Sequence, residues 1–144
     1  MKINLGAGPN WVREGWHILD HKVEKNEDFK IKGNLNKINL KKKSCDLVFI
    51  SHTLEHIPHI QIQNVLTEIN RIMKRDATIR ILVPNLERLA KAYVNKDKNF
   101  FRKAVDEDHS IRRDLGLGGM LMNFIVSPGQ DTILLDRNLQ KFIA

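Results

Sequence analysis

Between Asp46 and Val83 the spacing of apolar residues changes period twice, and this restricts the chain to a small set of folds. Leu47-Val48-Phe49-Ile50 is a continuous apolar run. A strand apolar on both faces belongs inside a parallel sheet covered by helices. From about His59 to Lys74, the residues Ile62, Val65, Leu66, Ile69, Ile72 and Met73 recur at spacings of three and four. That pattern predicts a helix with one apolar stripe, and Pro58 suits its start. Ala77 to Val83 reads ATIRILV, a strand again, closed by Pro84. Strand, helix and strand in this order form a βαβ unit with a parallel sheet.

Three short strands precede this unit. KINL at 2–5 ends in Gly6-Ala7-Gly8-Pro9-Asn10, which cannot continue a strand. A helical turn is expected over Trp11–Glu14, broken by Gly15. Strands at 17–20 and 29–31 follow, closed by Asp20 and by Gly33-Asn34. With 46–50 and 77–83 the count is five. The expected fold is α/β: a Rossmann-like, open and mostly parallel sheet of about five strands with flanking helices. A helix over Leu86–Val94 would bury Leu86, Leu89, Ala90 and Tyr93, with Asn85 as its N-cap. Beyond Asn95 the pattern weakens. A short amphipathic helix is expected over Phe100–Val105 and a charged stretch over Asp106–Arg113. Gly116, Gly118 and Gly119 mark a loop. Leu121–Val126 and Thr132–Leu135 are the remaining strand-like runs, and a last helix is expected over Arg137–Ile143.

A length of 144 residues suits a single domain, residues 1–144. Within it, 1–86 is expected to form a ligand-binding half, and 87–144 a helical or irregular region available for a second substrate or for oligomer contacts. The net charge of +7 permits a nucleic acid or an acidic substrate without showing either. The densest basic run, Lys41-Lys42-Lys43, falls in an expected loop and reads first as a solvated turn. One cysteine, Cys45, excludes an internal disulfide, and its place at a strand entry suits a core residue better than a nucleophile. No signal-peptide run and no apolar membrane span is visible, so a cytoplasmic location and no membrane partner are expected.

In an open parallel sheet, ligands bind beyond the carboxyl ends of the strands. Here those ends carry Gly6-Ala7-Gly8, Asp20, Gly33-Asn34-Leu35 and Ser51-His52-Thr53. The glycines let the backbone turn sharply and approach a ligand. Asp20 offers two acceptor oxygens, which match a pair of ribose hydroxyls. It stands 12 residues after Gly8, against roughly 20 in the dinucleotide fingerprint. Trp11 occupies the place of that fingerprint's third glycine. A nicotinamide or flavin cofactor is thereby disfavoured, and the absence of a Gly-Lys-Ser/Thr run excludes a Walker A loop.

The ordered motifs resemble those of class I S-adenosylmethionine-dependent methyltransferases, in particular a group of small bacterial and phage proteins. Leu5-Gly6-Ala7-Gly8-Pro9 matches their L-G-C-G-P opening. Gly15-Trp16-His17-Ile18-Leu19-Asp20 matches their G-W-x-x-x-D. Ser51-His52-Thr53-Leu54-Glu55-His56 matches their S-H-x-L-E-H. Pro84-Asn85-Leu86 stands for their P-D-L, whereas Arg75-Asp76-Ala77 replaces a Pro-Gly-Gly turn. The likeness covers about the first 90 residues. It implies S-adenosyl-L-methionine as cofactor, with Leu5, Gly6, Ala7 and Gly8 around its methionine part. Asp20 would hold the ribose, and Asn34 and Leu35 would border the adenine. Ser51 and His52 would line the pocket, with His56 near its open side. The family's sheet has seven strands, so a five-stranded chain would be a shortened form. Its strand 77–83 would then form an edge that a helical cover or a second copy, in a homo-oligomer, would protect.

Methyl transfer mainly needs donor and acceptor aligned in a water-free site. A weakly nucleophilic acceptor also needs a base, and His56 or His52 could serve, since imidazole titrates near neutrality. These histidines could equally line the pocket without moving a proton. His52-Thr53-Leu54-Glu55-His56 also fits the H-x-x-E-H zinc-peptidase pattern. That chemistry needs one long helix carrying both histidines, which Pro58 disfavours, so no metal is expected. A non-catalytic nucleoside-binding or assembly protein is the alternative to an enzyme. The acceptor is not legible, and a small molecule, lipid head group, protein or nucleic acid all fit.

Overall fold

The computed structural model describes residues 1–101 and 116–118. Five strands form one sheet: β1 (Lys2–Leu5), β2 (Trp16–Asp20), β3 (Lys30–Lys32), β4 (Cys45–Ser51) and β5 (Met73–Leu82). Their order is β3-β2-β1-β4-β5, and every pairing is parallel. The chain builds outward from β1 through β2 to β3, then returns to the other side of β1 with β4. The switch point therefore lies between β1 and β4, where an open α/β sheet leaves a crevice for a ligand. The expected fold class is the observed one: a parallel five-stranded sheet with flanking helices.

Helix α1 (His59–Ile72) covers one face. Its Val65, Ile69 and Ile72 are buried against Ile3, Leu5, Leu19, Val48 and Ile50, the inward-facing residues of the sheet. These strand residues pair across the register, Ile3 with Val48 and Leu5 with both Leu19 and Ile50. On the opposite face Trp16 meets Phe49 edge-on at 6.3 Å, and the Arg80 guanidinium lies over the Phe49 ring. Cys45 is fully buried, and burial pushes its thiol pKa up. It is a core residue, as its place in the sequence suggests.

Four local expectations need correction. Residues 11–14 form no helix. Instead Gly15 turns at φ +73, and Trp11 packs edge-on against Trp16. The third strand is shifted by one residue, since Phe29 lies before it. Helix α1 ends at Ile72, and β5 begins at once with Met73. Between Cys45↔Met73 and Leu47↔Thr78 the register advances two residues on β4 and five on β5. With no Pro-Gly-Gly turn to compact the link, Lys74, Arg75 and Asp76 stay extended and bulge outward, exposed. Finally, α2 (Leu86–Val94) buries Leu89 and Ala92 against Phe101, while Leu86, Ala90 and Tyr93 are exposed. Its expected cap does form: Asn85 Oδ1 accepts from Arg88 N at 2.9 Å.

Among the described residues β5 is an edge of the sheet. The expected structure at 102–115 and 119–144, including the strand-like runs and the last helix, lies outside the described residues.

Candidate functional site

At the carboxyl end of β1 the chain must reverse beside two neighbouring strands, and glycine makes this possible. Gly6 and Gly8 both adopt left-handed backbone, φ +72 and +76, a region that L-residues with a Cβ avoid. Gly6 has a second reason to be glycine. A Cβ there would stand 2.2 Å from Thr53 Cγ2, so the loop after β1 sits directly on the loop after β4. Thr53 Oγ1 donates within this contact, 3.2 Å from Gly6 O and 3.0 Å from Ser51 O. Gly6 N donates to Leu19 O at 2.8 Å, which ties the same loop to β2.

Asp20 closes β2 and is buried. Its Oδ2 accepts from Gly8 N and its Oδ1 from Lys22 N, both at 2.8 Å. His21 Nδ1 lies 3.5 Å from Oδ1. A buried carboxylate must be paired to be tolerated, and here backbone N–H groups pair it. The acidic residue therefore orders the glycine loop.

The segment after β4 is unusual. His52 adopts φ +50, rare for a residue with a Cβ. Its N–H donates to Leu82 O at 3.0 Å, anchoring it to β5. A 3-10 turn over Leu54–His56 follows. His52 Nδ1 lies 3.3 Å from Glu55 Oε1. Glu55 is buried, and among the described residues its Oε2 has no hydrogen-bond partner. A buried carboxylate oxygen without a donor is costly and draws attention to this crevice.

The structure brings Leu5, Gly6, Ala7, Gly8, Asp20, Ser51 and His52 together at the carboxyl ends of β1, β2 and β4. His56 is exposed at the end of the 3-10 turn. Asn34 is exposed after β3, and its Oδ1 accepts from Asn36 N at 2.9 Å. Leu35 is buried in the core under that turn. Sequence reasoning gave Thr53 no role and Glu55 only one in zinc hydrolysis. Their signal is the S-H-x-L-E-H string itself, where the variable position faces Gly6. The H-x-x-E-H pattern does not lie on one helix: His52 is left-handed and precedes the turn that carries Glu55 and His56.

Residues 17–81 match the family model described as a methyltransferase domain. Among solved structures the chain is similar to a protein of Methanococcus maripaludis described as a putative S-adenosyl-L-methionine-dependent methyltransferase. The identity is 20%, over 75% of this chain and 62% of that one, at a TM-score of 0.45. It is also similar to a protein of Pyrococcus horikoshii, at 16% identity over 67% of this chain and 53% of that one, with a TM-score of 0.48. The chain thus spans less than two thirds of the length of either. No curated protein matches it. Residues 17–81, less than half of the chain, are thus similar to a methyltransferase domain, and the sheet they help to build is Rossmann-like.

Proposed function

We propose that the chain binds S-adenosylmethionine and transfers its methyl group to an acceptor nucleophile. The observation that carries this reading is the joint seating of Gly6 and Gly8 on Thr53 and Asp20 at the switch point of the sheet. The residues suit that cofactor. Among the described residues a Cβ at Gly8 would meet nothing within 4 Å, which leaves the main chain there open to a ligand. Each Asp20 oxygen accepts one backbone N–H. A carboxylate oxygen can accept a second hydrogen bond, which fits ribose hydroxyls.

When bound, the cofactor supplies a methyl group already activated on a sulfonium. The chain's own task is to bind, orient and exclude water. In this reading Leu5 to Gly8 underlie the methionine part, Asp20 holds the ribose, and Asn34 borders the adenine with Leu35 beneath it. Ser51 and His52 line the crevice. His56, on its open side, takes the proton from an acceptor that needs a base.

Calorimetry with S-adenosylmethionine, its demethylated product and NAD tests the reading. The two sulfur nucleosides are expected to bind with micromolar affinity, about −8 kcal/mol, and NAD not at all. No heat from either sulfur nucleoside at about 100 µM protein removes the proposal, because a site weaker than that has no use as a cofactor seat. Unchanged turnover in His56→Ala would remove the base while leaving the cofactor site intact.

A further inference from the structure

The opposite end of the sheet carries charge that the candidate site does not use. A hollow of about 400 Å³ lies there, lined by Lys42, Lys43, Asn70, Arg71, Lys74 and Arg75 among others. The cations come from three places: the turn before β4, the last turn of α1, and the outward bulge at the start of β5. The register shift that bulges Lys74 and Arg75 outward at the start of β5 also completes the hollow.

Two of the five cations are committed. Arg71 binds Glu68 at 2.8 Å and the carbonyls of Ile38 and Leu40. Lys74 Nζ donates to Asp46 Oδ1 at 2.6 Å, and the amino terminus also binds Asp46. Among the described residues Lys42, Lys43 and Arg75 have no carboxylate within ion-pair distance. Asp76 is the remaining carboxylate at the rim. The turn is fixed in place: Lys43, at φ +55, donates its N–H to Arg71 O, and Ser44 N donates to Ile72 O. These two bonds occupy the carbonyls of Arg71 and Ile72, two of the four that end α1.

We propose that this end of the sheet is a second binding site, for the phosphate backbone of a nucleic acid. Three uncommitted cations around one concave surface fit successive phosphates. Among the described residues no aromatic side chain lines the hollow, so charge is read there and bases are not. The exposed large apolar side chains of the described residues do not line it either. A lipid surface would use such residues as anchors. The site is independent of the cofactor crevice, and its test does not rely on methyl transfer.

The test is fluorescence anisotropy of the full chain with a labelled mixed-sequence duplex, at rising salt. Three phosphate contacts predict a fall in affinity of ~40-fold between 50 and 200 mM salt. Lys42→Glu/Lys43→Glu/Arg75→Glu is expected to lose at least tenfold in affinity. A control of equal charge change, Lys25→Glu/Lys96→Glu/Lys98→Glu, is expected to stay within threefold. The neutral set Lys42→Gln/Lys43→Gln/Arg75→Gln, with an unchanged melting curve, guards against a folding defect and is expected to lose several-fold. Equal losses in the patch and control variants would overturn the proposal, since net charge alone would then explain binding. Binding to anionic vesicles without binding to the duplex would overturn it too, as would displacement of the duplex by low-millimolar inorganic phosphate.

Discussion

The two ends of the sheet are built on opposite principles. At the carboxyl end Asp20 is buried and Thr53 half-buried, and both are held by the backbone: Asp20 accepts from Gly8 and Lys22, and Thr53 donates to the main chain around Gly6. At the amino end the polar groups are exposed side chains, and the backbone only sets their spacing. A buried, backbone-held site is costly to disturb and selective in what it admits. An exposed cluster is cheap to alter, and it responds to salt because exposed charges are screened.

The largest effect expected from this contrast is at Gly6. Gly6→Ala forces a Cβ to within 2.2 Å of Thr53 Cγ2 at a left-handed φ. Strain and overpacking together should cost about 2–5 kcal/mol in denaturant unfolding. Gly8→Ala keeps the φ penalty but meets no atom, so about 1–2 kcal/mol is expected. Combining Gly6→Ala with Thr53→Ala should recover part of the loss. Equal losses at Gly6 and Gly8 would show that the loop-to-loop contact does not matter.

Asp20→Ala is expected next. It removes two acceptors of backbone N–H groups and, under the proposed function, the ribose partner. Cofactor affinity should fall by about 1.5–3 kcal/mol, with a smaller loss of stability from the freed loop. A melting temperature that falls while affinity holds would assign Asp20 a structural role alone.

The smallest effect lies between the two ends, where α1 is clamped to the loop before β4. Glu68 accepts from Arg71 and from Ile38 N at 2.9 Å. Those bonds hold its carboxyl well below the usual range, at about 2. A depressed carboxyl pKa stabilises the fold above the unfolded value near 4.5 and loses that effect as pH falls toward 2. Glu68→Gln should therefore lower Tm by a few degrees at pH 7. The difference from the parent should shrink steadily between pH 4.5 and 2. A gap that is constant across that range would mean the carboxylate's charge contributes nothing.

The same contrast explains what could be read in the sequence. Strand ends at the carboxyl side appear as contiguous strings, Leu5 to Pro9 and Ser51 to His56, because each loop supplies its residues consecutively. Helix α1 was legible from its apolar stripe, and the parallel sheet from the βαβ order. The amino-end hollow was not legible, because Lys42 and Lys43 meet Lys74 and Arg75 only through a register shift that no local pattern encodes. The pairing of Asp20 with Gly8 was also out of reach, since a backbone N–H leaves no trace in residue type. Residues 11–14, Trp-Val-Arg-Glu, suit a helical turn by local pattern, but the contact of Trp11 with Trp16 decides their path, and local pattern does not encode it. The buried face of α2 is not legible in its own sequence, because Phe101, the residue it packs on, lies beyond the helix itself.

The most direct test of the account is amide NMR of the full chain titrated with S-adenosylhomocysteine. The account predicts shifts concentrated at Gly6, Gly8, Lys22, His52 and Thr53, with Lys43, Ser44 and Arg75 unmoved. Shifts at the amino end, or none at the glycine loop, would contradict it.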